Sequence, residues 1–238
     1  MKQDNKNPFQ GRQFTAEVIL WAVRWYLQFA ISYRDLERML SDRGVQVDHT
    51  TLFRWIQAYA QELDKRVRPH LRPTNGSWRV AETYIRVKGE WVYLYRAVDA
   101  AGQTIDFLLS GRRDAAAAKR FFRKALTQAH TVNPRTITVD KNAAYPVATK
   151  AMKRAGELWR FAKLRQVKFL HNIVEQDHRR IKRLVRPGLG FKSFVSASQT
   201  IAGYEAMAMI RKGQVLNAPA NDMQAQRNFI AALFGVAA

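Results

Sequence analysis

Asp140 ends the β-branched run TITVD, and Glu175 lies early in HNIVEQDHRRIKR. Each sits where an α/β protein can aim an acid at a ligand: one at the carboxyl end of a strand, one in the first turn of a helix. From Glu175, Arg179 follows at i+4 and Lys182 at i+7, on one helical face. Carboxylates that hold divalent metal, with cations beside them that hold phosphate, suit phosphodiester cleavage. Taken singly, Asp140 reads equally well as a strand-end or capping Asp. Glu175 reads equally well as a helix-start acid favoured by the helix dipole. Asp177, also in the run, faces away from Glu175 and is expected in solvent.

The charge supports a polyanionic partner. The 238 residues carry 40 Lys and Arg against 19 Asp and Glu, a net charge of +21. Residues 141–212 hold 16 basic and 4 acidic residues, net +12, so the main polyanion surface belongs to the second half. There is no cysteine, which excludes disulfides and cysteine-ligated metal. No run of about 18 apolar residues suggests a membrane span, and the polar start of the chain does not read as a secretory signal. Neither a membrane nor a small-molecule substrate is expected, and a cytoplasmic location fits.

The elements that must position these groups fall into two blocks. Residues 15–64 read as three helices. The first, about Ala16 to Gln28, is apolar almost all round and should be buried on more than one side. The second opens at Ser32 with Asp35 three places on, and the third opens at Asp48. In the third, Leu52, Trp55, Ile56, Tyr59 and Leu63 form one apolar stripe. Thr50, Thr51, Arg54, Gln57 and Gln61 lie on another face, with groups that read base edges and phosphates. This is the pattern of a helix-turn-helix, and also of a plain three-helix bundle with a solvated face. Residues 65–76, with Pro69, Pro73 and Asn75-Gly76, read as a basic linker that is either solvated or laid along phosphates.

Behind it, 77–87, 90–99 and 104–109 read as an antiparallel meander. A helix from Asp114 to about Ala129, a strand at 136–139, a helix over 143–155, a strand around 166–170 and helices over 172–186 and 194–211 follow. The fold class expected is α/β: a ribonuclease-H-like mixed sheet with flanking helices, preceded by an all-α helix-turn-helix domain. The domains expected are a tail over 1–14, the helix-turn-helix over 15–64, the linker over 65–76, the catalytic domain over 77–213 and a tail or helix over 214–238 that could form a dimer contact.

Four stretches carry a resemblance: WRVAETYIRVKGEWVYLYRAVDAAG, VDKNAAYP, HNIVEQDHRRIKR and GLGFKSF. They resemble the catalytic domain of the insertion-sequence-six family of DDE transposases, and DHTTLFRWIQ resembles that family's helix-turn-helix. The similarity spans about residues 14–213. The family's second and third acids match Asp140 and Glu175, with its characteristic 34 residues, 141–174, between them. Lys182 matches the basic residue seven places after the glutamate. The family's first acid, an Asp, falls on Ala81. Glu82 is adjacent, but successive strand residues face opposite sides, so it should not reach the same metals. Asp99 receives no catalytic role.

The resemblance implies a homodimer or larger assembly that binds terminal inverted repeats and target DNA. It implies Asp140, Glu175 and an acid at position 81 around two Mg²⁺ ions, with Mn²⁺ able to substitute. One strand at each end is cut by water, and the freed 3′-hydroxyl attacks target DNA to give a cointegrate. Arg179, Arg180, Lys182, Arg183 and Lys192 would hold phosphates, and Gly190 to Lys192 would position the following helix or simply form a turn. Ala81 implies an inactive chain. Two alternatives remain open: a DNA-binding regulator on a degenerate nuclease fold, and a junction resolvase that reads branched DNA.

Overall fold

A computed structural model describes residues 8–167 and 172–236. In chain order the elements are α1 (Ala16–Gln28), α2 (Tyr33–Ser41), α3 (His49–Val67), β1 (Ser77–Val87), β2 (Glu90–Asp99), β3 (Thr104–Ser110), α4 (Ala115–Leu126), β4 (Thr136–Val139), α5 (Ala144–Arg154), β5 (Lys163–Gln166), α6 (Asn172–Val185), α7 (Phe194–Arg211) and α8 (Met223–Leu233). Two compact units result. One is Leu71–Ser198; the other takes the residues up to His70 together with those from Gln199 onward. The sequence reading divided the chain at 64, 76 and 213 instead. Among the described residues no helix is long and apolar enough to cross a membrane.

In the helical unit, local chemistry sets the helix starts. Ser32 and Asp35 form a reciprocal capping box before α2. The Asp48 carboxylate accepts from the Thr50 and Thr51 amides at the start of α3. Burial of Ile19, Leu20, Ala22, Val23, Tyr26 and Leu27 shows α1 enclosed on several sides. The enclosing elements include the C-terminal helices: α7, expected as a helix of the catalytic domain, and α8, expected as a tail or helix. Gly203 of α7 lies where a Cβ would stand 2.6 Å from Ala60 Cβ and 2.8 Å from both Leu27 δ-carbons. Only a hydrogen fits there, so the α7 backbone lies directly against side chains of α1 and α3. Gly203→Ala is therefore expected to overpack the crossing and cost about 1–3 kcal/mol of stability. A chemical-denaturation midpoint indistinguishable from the parent's would contradict this.

The expected basic linker is partly helix. α3 continues to Val67, and a 3-10 turn covers Arg68–His70. Arg66 donates to Glu62 and to the Leu233 carbonyl, both at 2.6 Å, and Arg68 pairs with Asp64 at 2.9 Å. These cations are engaged within the unit rather than laid out for phosphates.

The second unit is one mixed sheet with order β3-β2-β1-β4-β5. β1, β2 and β3 are antiparallel, and β4 and β5 run parallel to β1. Three antiparallel strands followed by parallel strands added beside the first, with helices on both faces, is the ribonuclease-H-like arrangement. On one face Trp78, Val80, Tyr95, Ala97, Ile137 and Val139 pack against Phe121 and Phe122 of α4 and Tyr145 and Met152 of α5. On the other, Ala81 and Val98 pack against Val174 of α6. β5 falls at 163–166, earlier than the expected 166–170, of which 168–170 lie outside the described residues. It is an edge strand with mostly exposed side chains, so no apolar alternation marks it in the sequence. Its charged residues suit an edge that must not pair further.

Candidate active site

The strand pairing decides which acids share a face. β1 and β4 pair in parallel through Ser77↔Thr136 to Arg79↔Thr138, and continuing that register by two residues sets Ala81 beside Asp140. Ile137 and Val139 point into the α4–α5 core, so alternation turns Asp140 toward the α6 face, where Ala81 also lies. Glu175, in the first turn of α6, is exposed. The elements that carry positions 81, 140 and 175 thus meet at one end of the sheet. At position 81 the group presented is a methyl, 6% exposed and in contact with Val98 and Val174.

Glu82 occupies the opposite face and is saturated there. Its Oε1 accepts from Asn142 Nδ2 at 2.9 Å and from Arg113 Nε at 2.6 Å, and its Oε2 accepts from the Tyr145 hydroxyl. Arg113 Nη2 lies 2.5 Å from Glu82 Oε1 and 3.5 Å from Asp140 Oδ2, so one guanidinium bridges both carboxylates. Asp140 Oδ1 accepts from the Asn142 amide at 2.9 Å. Burial pushes the Asp140 carboxyl above its ordinary value and the nearby Glu82 charge adds to this, against the Asn142 amide and Arg113. Arg113 went unnoticed in the sequence. Its only signal was its place before Asp114, the N-cap of α4.

Asp140 and Glu175 are oxygen donors of the kind Mg²⁺ takes. A pair of ions needs a further carboxylate between them. The methyl of Ala81 cannot supply it, and the oxygens of Glu82 are committed to Arg113, Asn142 and Tyr145. The residues present do not fit the two-ion arrangement.

Asp177 corrects the sequence reading. It is buried and pairs with Arg96 Nη2 at 3.2 Å. The physical reason is that Val174, Asp177, Ile181 and Leu184 repeat at helical spacing and form the buried stripe of α6. Asp177 does point away from Glu175, but Asp177 faces protein while Glu175 faces out. Arg96 is the β2 partner of Ala81, so this ion pair ties α6 to the sheet beside position 81. His178, next along, is pushed down to about 3, first by burial and then by the charge of Arg96.

The remaining candidates divide. Arg179, Lys182, Arg183 and Lys192 are exposed, and Arg180 is half-buried. Gly190 has φ +102° and lies 2.9 Å, at its missing Cβ, from the Arg86 carbonyl. Phe191 then exchanges backbone hydrogen bonds with Arg86 and Lys88 at 3.0 and 2.7 Å. The GFK segment therefore clips onto the β1–β2 hairpin. Close backbone approach and positive φ together require glycine at 190.

On α3, Arg54 is exposed. The Thr50 and Thr51 hydroxyls both donate to Asp48, so they serve the helix cap. Gln57 departs from expectation. Its Nε2 donates to Thr200 Oγ1 of α7 at 3.0 Å, because α7 covers that flank of α3. Phe53, 40% exposed, shares the outer surface and was not anticipated.

A family model described as a DDE domain matches residues 75–214. The transposase for insertion sequence element IS257 in transposon Tn4003 of Staphylococcus aureus is 37% identical over 207 residues, covering 87% of this chain and 89% of the relative. The transposase for insertion sequence-like element IS431mec of Staphylococcus aureus strain Mu50 matches with the same identity and coverage. Among solved structures, the HTLV-2 integrase catalytic core domain in complex with magnesium, in its dimeric form, is similar with a TM-score of 0.43. Its identity is 17%, over 63% of this chain and 94% of that one.

Proposed function

The chain belongs to the insertion-sequence-six family of DDE transposases, and from that membership we propose that it binds the terminal inverted repeats of its element as a homodimer while its own strand-cutting centre is silent. α3 is the reading helix, with Arg54 directed at base edges and Thr50 and Thr51 at its start. α6 is the phosphate-binding helix, with Arg179, Arg180, Lys182 and Arg183 on it and Lys192 beyond it. Asp140 and Glu175 retain the oxygen donors for Mg²⁺ or Mn²⁺, and Ala81 withholds the donor that a second ion needs. With an aspartate in place of Ala81 the same framework would cut one strand at each end and join it to target DNA, giving a cointegrate. The work is done on DNA in the bacterial cytoplasm.

The observation that carries this reading is the outward face of α6, where an exposed acid is followed by exposed Arg179, Lys182 and Arg183. Five phosphate contacts predict a log–log slope of duplex affinity against salt on the order of −4. Arg183→Ala should make that slope shallower by about one. Fluorescence anisotropy across a salt series reads both. Affinity independent of salt would overturn the electrostatic assignment. A second reading, a DNA-binding regulator on a degenerate nuclease fold, is favoured by Ala81 alone.

A further inference from the structure

Beyond the acids, the β1–β2 hairpin carries two large aromatic side chains in solvent. Tyr84 is 52% and Trp91 59% exposed, and their rings meet edge to face with centroids 5.1 Å apart. Each has a cation against it: Arg86 lies 5.4 Å from the Trp91 ring centre, and Lys182 of α6 lies 5.0 Å from that of Tyr84. Among the described residues no hydrophobic cluster claims either ring. Two adjacent aromatic rings leave apolar surface that a ligand can cover with a gain in free energy, and the charge around them says which ligand. Arg86 and Lys182 stand against the pair, and Lys88 sits in the same hairpin turn.

The position narrows the ligand further. Glu82, Tyr84 and Arg86 alternate along the face of β1 opposite Ala81, so Tyr84 stands about 7 Å beyond the carboxylate that Arg113 joins to Asp140, and Lys182 reaches its ring from α6 on the other face. Lys182 stands two helical turns, about 10 Å, beyond Glu175. Two stacked nucleotides span about 7 Å. A strand with its phosphate at the acids therefore brings a base one to three positions away onto these rings. A base pair inside a duplex has both faces stacked, so an interior base must be unpaired to use them.

We propose that Tyr84 and Trp91 form a stacking site for an unpaired base of the DNA strand that runs past Asp140 and Glu175, with Arg86 and Lys182 holding its flanking phosphates. This rests on the DNA-binding reading above. Base–aromatic stacking contributes about 1–3 kcal/mol per base, which is roughly a 5- to 100-fold change in affinity.

The test needs no catalysis. Two probes are titrated with the full chain: a blunt duplex, and the same duplex with a short single-stranded tail containing 2-aminopurine. The parent should bind the tailed probe more tightly and quench its fluorescence. Trp91→Ala should lose roughly 5- to 100-fold on the tailed probe and leave the blunt duplex unchanged, while Trp91→Phe should retain most of the preference. Trp91 is exposed, so these substitutions leave the core alone, and a thermal melt checks that. A tail that adds neither affinity nor quenching would overturn the stacking site and leave duplex binding standing. Failure of both probes to bind would overturn the DNA reading and this proposal with it. If Trp91→Ala instead alters the oligomeric state by light scattering and keeps the tail preference, the rings are a contact between copies and the proposal fails.

Discussion

Ala81→Asp is expected to raise Mg²⁺-dependent nicking of duplex DNA by at least about 100-fold over the parent chain. Extending the β1–β4 register two residues past Arg79↔Thr138 sets position 81 beside Asp140, and Ala81 packs on Val174, the residue before Glu175. A carboxylate there adds the missing oxygen donor between the two that remain. The double variant with Asp140→Asn should return to the parental level, which attributes the gain to the acid cluster. Without metal, the new carboxylate lies against Val98 and Val174 and should lower the melting temperature. Mg²⁺ should then stabilise the Ala81→Asp variant more than the parent, because a ligand that binds only the folded state adds to its stability. Nicking at the same rate in both chains would sink the claim that Ala81 silences the centre and leave the regulator reading without support. A variant that binds DNA but never nicks would favour the regulator.

The second large effect is structural. Asp177→Ala should destabilise the second unit by about 3–5 kcal/mol, since it removes a carboxylate that pairs with the buried Arg96 guanidinium. For a chain of this length that corresponds to a fall in melting temperature of roughly 6–20 °C. Arg96→Met with Asp177→Leu should recover much of the loss, because an apolar pair of similar volume removes both desolvation costs. Asp177→Ala tests the sequence reading directly. A solvent-facing Asp on a helix would change stability by less than about 0.5 kcal/mol, and a shift that small would show that the ion pair does not hold α6 to β2.

Much of this architecture was legible locally. Ser32, Asp35 and Asp48 announce helix starts because a cap bonds within its own first turn. The three meander strands were legible because β-branched and aromatic runs end at Lys88-Gly89 and Ala101-Gly102, where Gly89 and Gly102 take positive φ. The family was legible in four motifs and in the 34 residues between Asp140 and Glu175. That positions 81 and 82 face opposite sides of β1 was legible as well, since alternation along a strand needs no tertiary knowledge.

Other features exist only once distant segments meet. Gln57 has the composition of a DNA-reading position, yet Thr200, 143 residues later, takes its amide. Asp177 has the composition of a solvent residue, yet β2 supplies Arg96 from 81 residues earlier. Arg113 carries no motif, and its bridge between Glu82 and Asp140 appears only when the end of β3 reaches the ends of β1 and β4. Gly203 shows how the C-terminal helices close on α1 and α3, which no local pattern foretells. A side chain's periodicity states that one face of a helix is apolar. It does not state which polar neighbour on that face will find its counter-charge, because that partner is set by long-range packing. The sequence by itself therefore determined the family, the helix caps and the three meander strands. The tertiary structure alone decided that Asp177 is buried, that Arg113 bridges two carboxylates and that Tyr84 and Trp91 stand together in solvent with Lys182 of α6 against them.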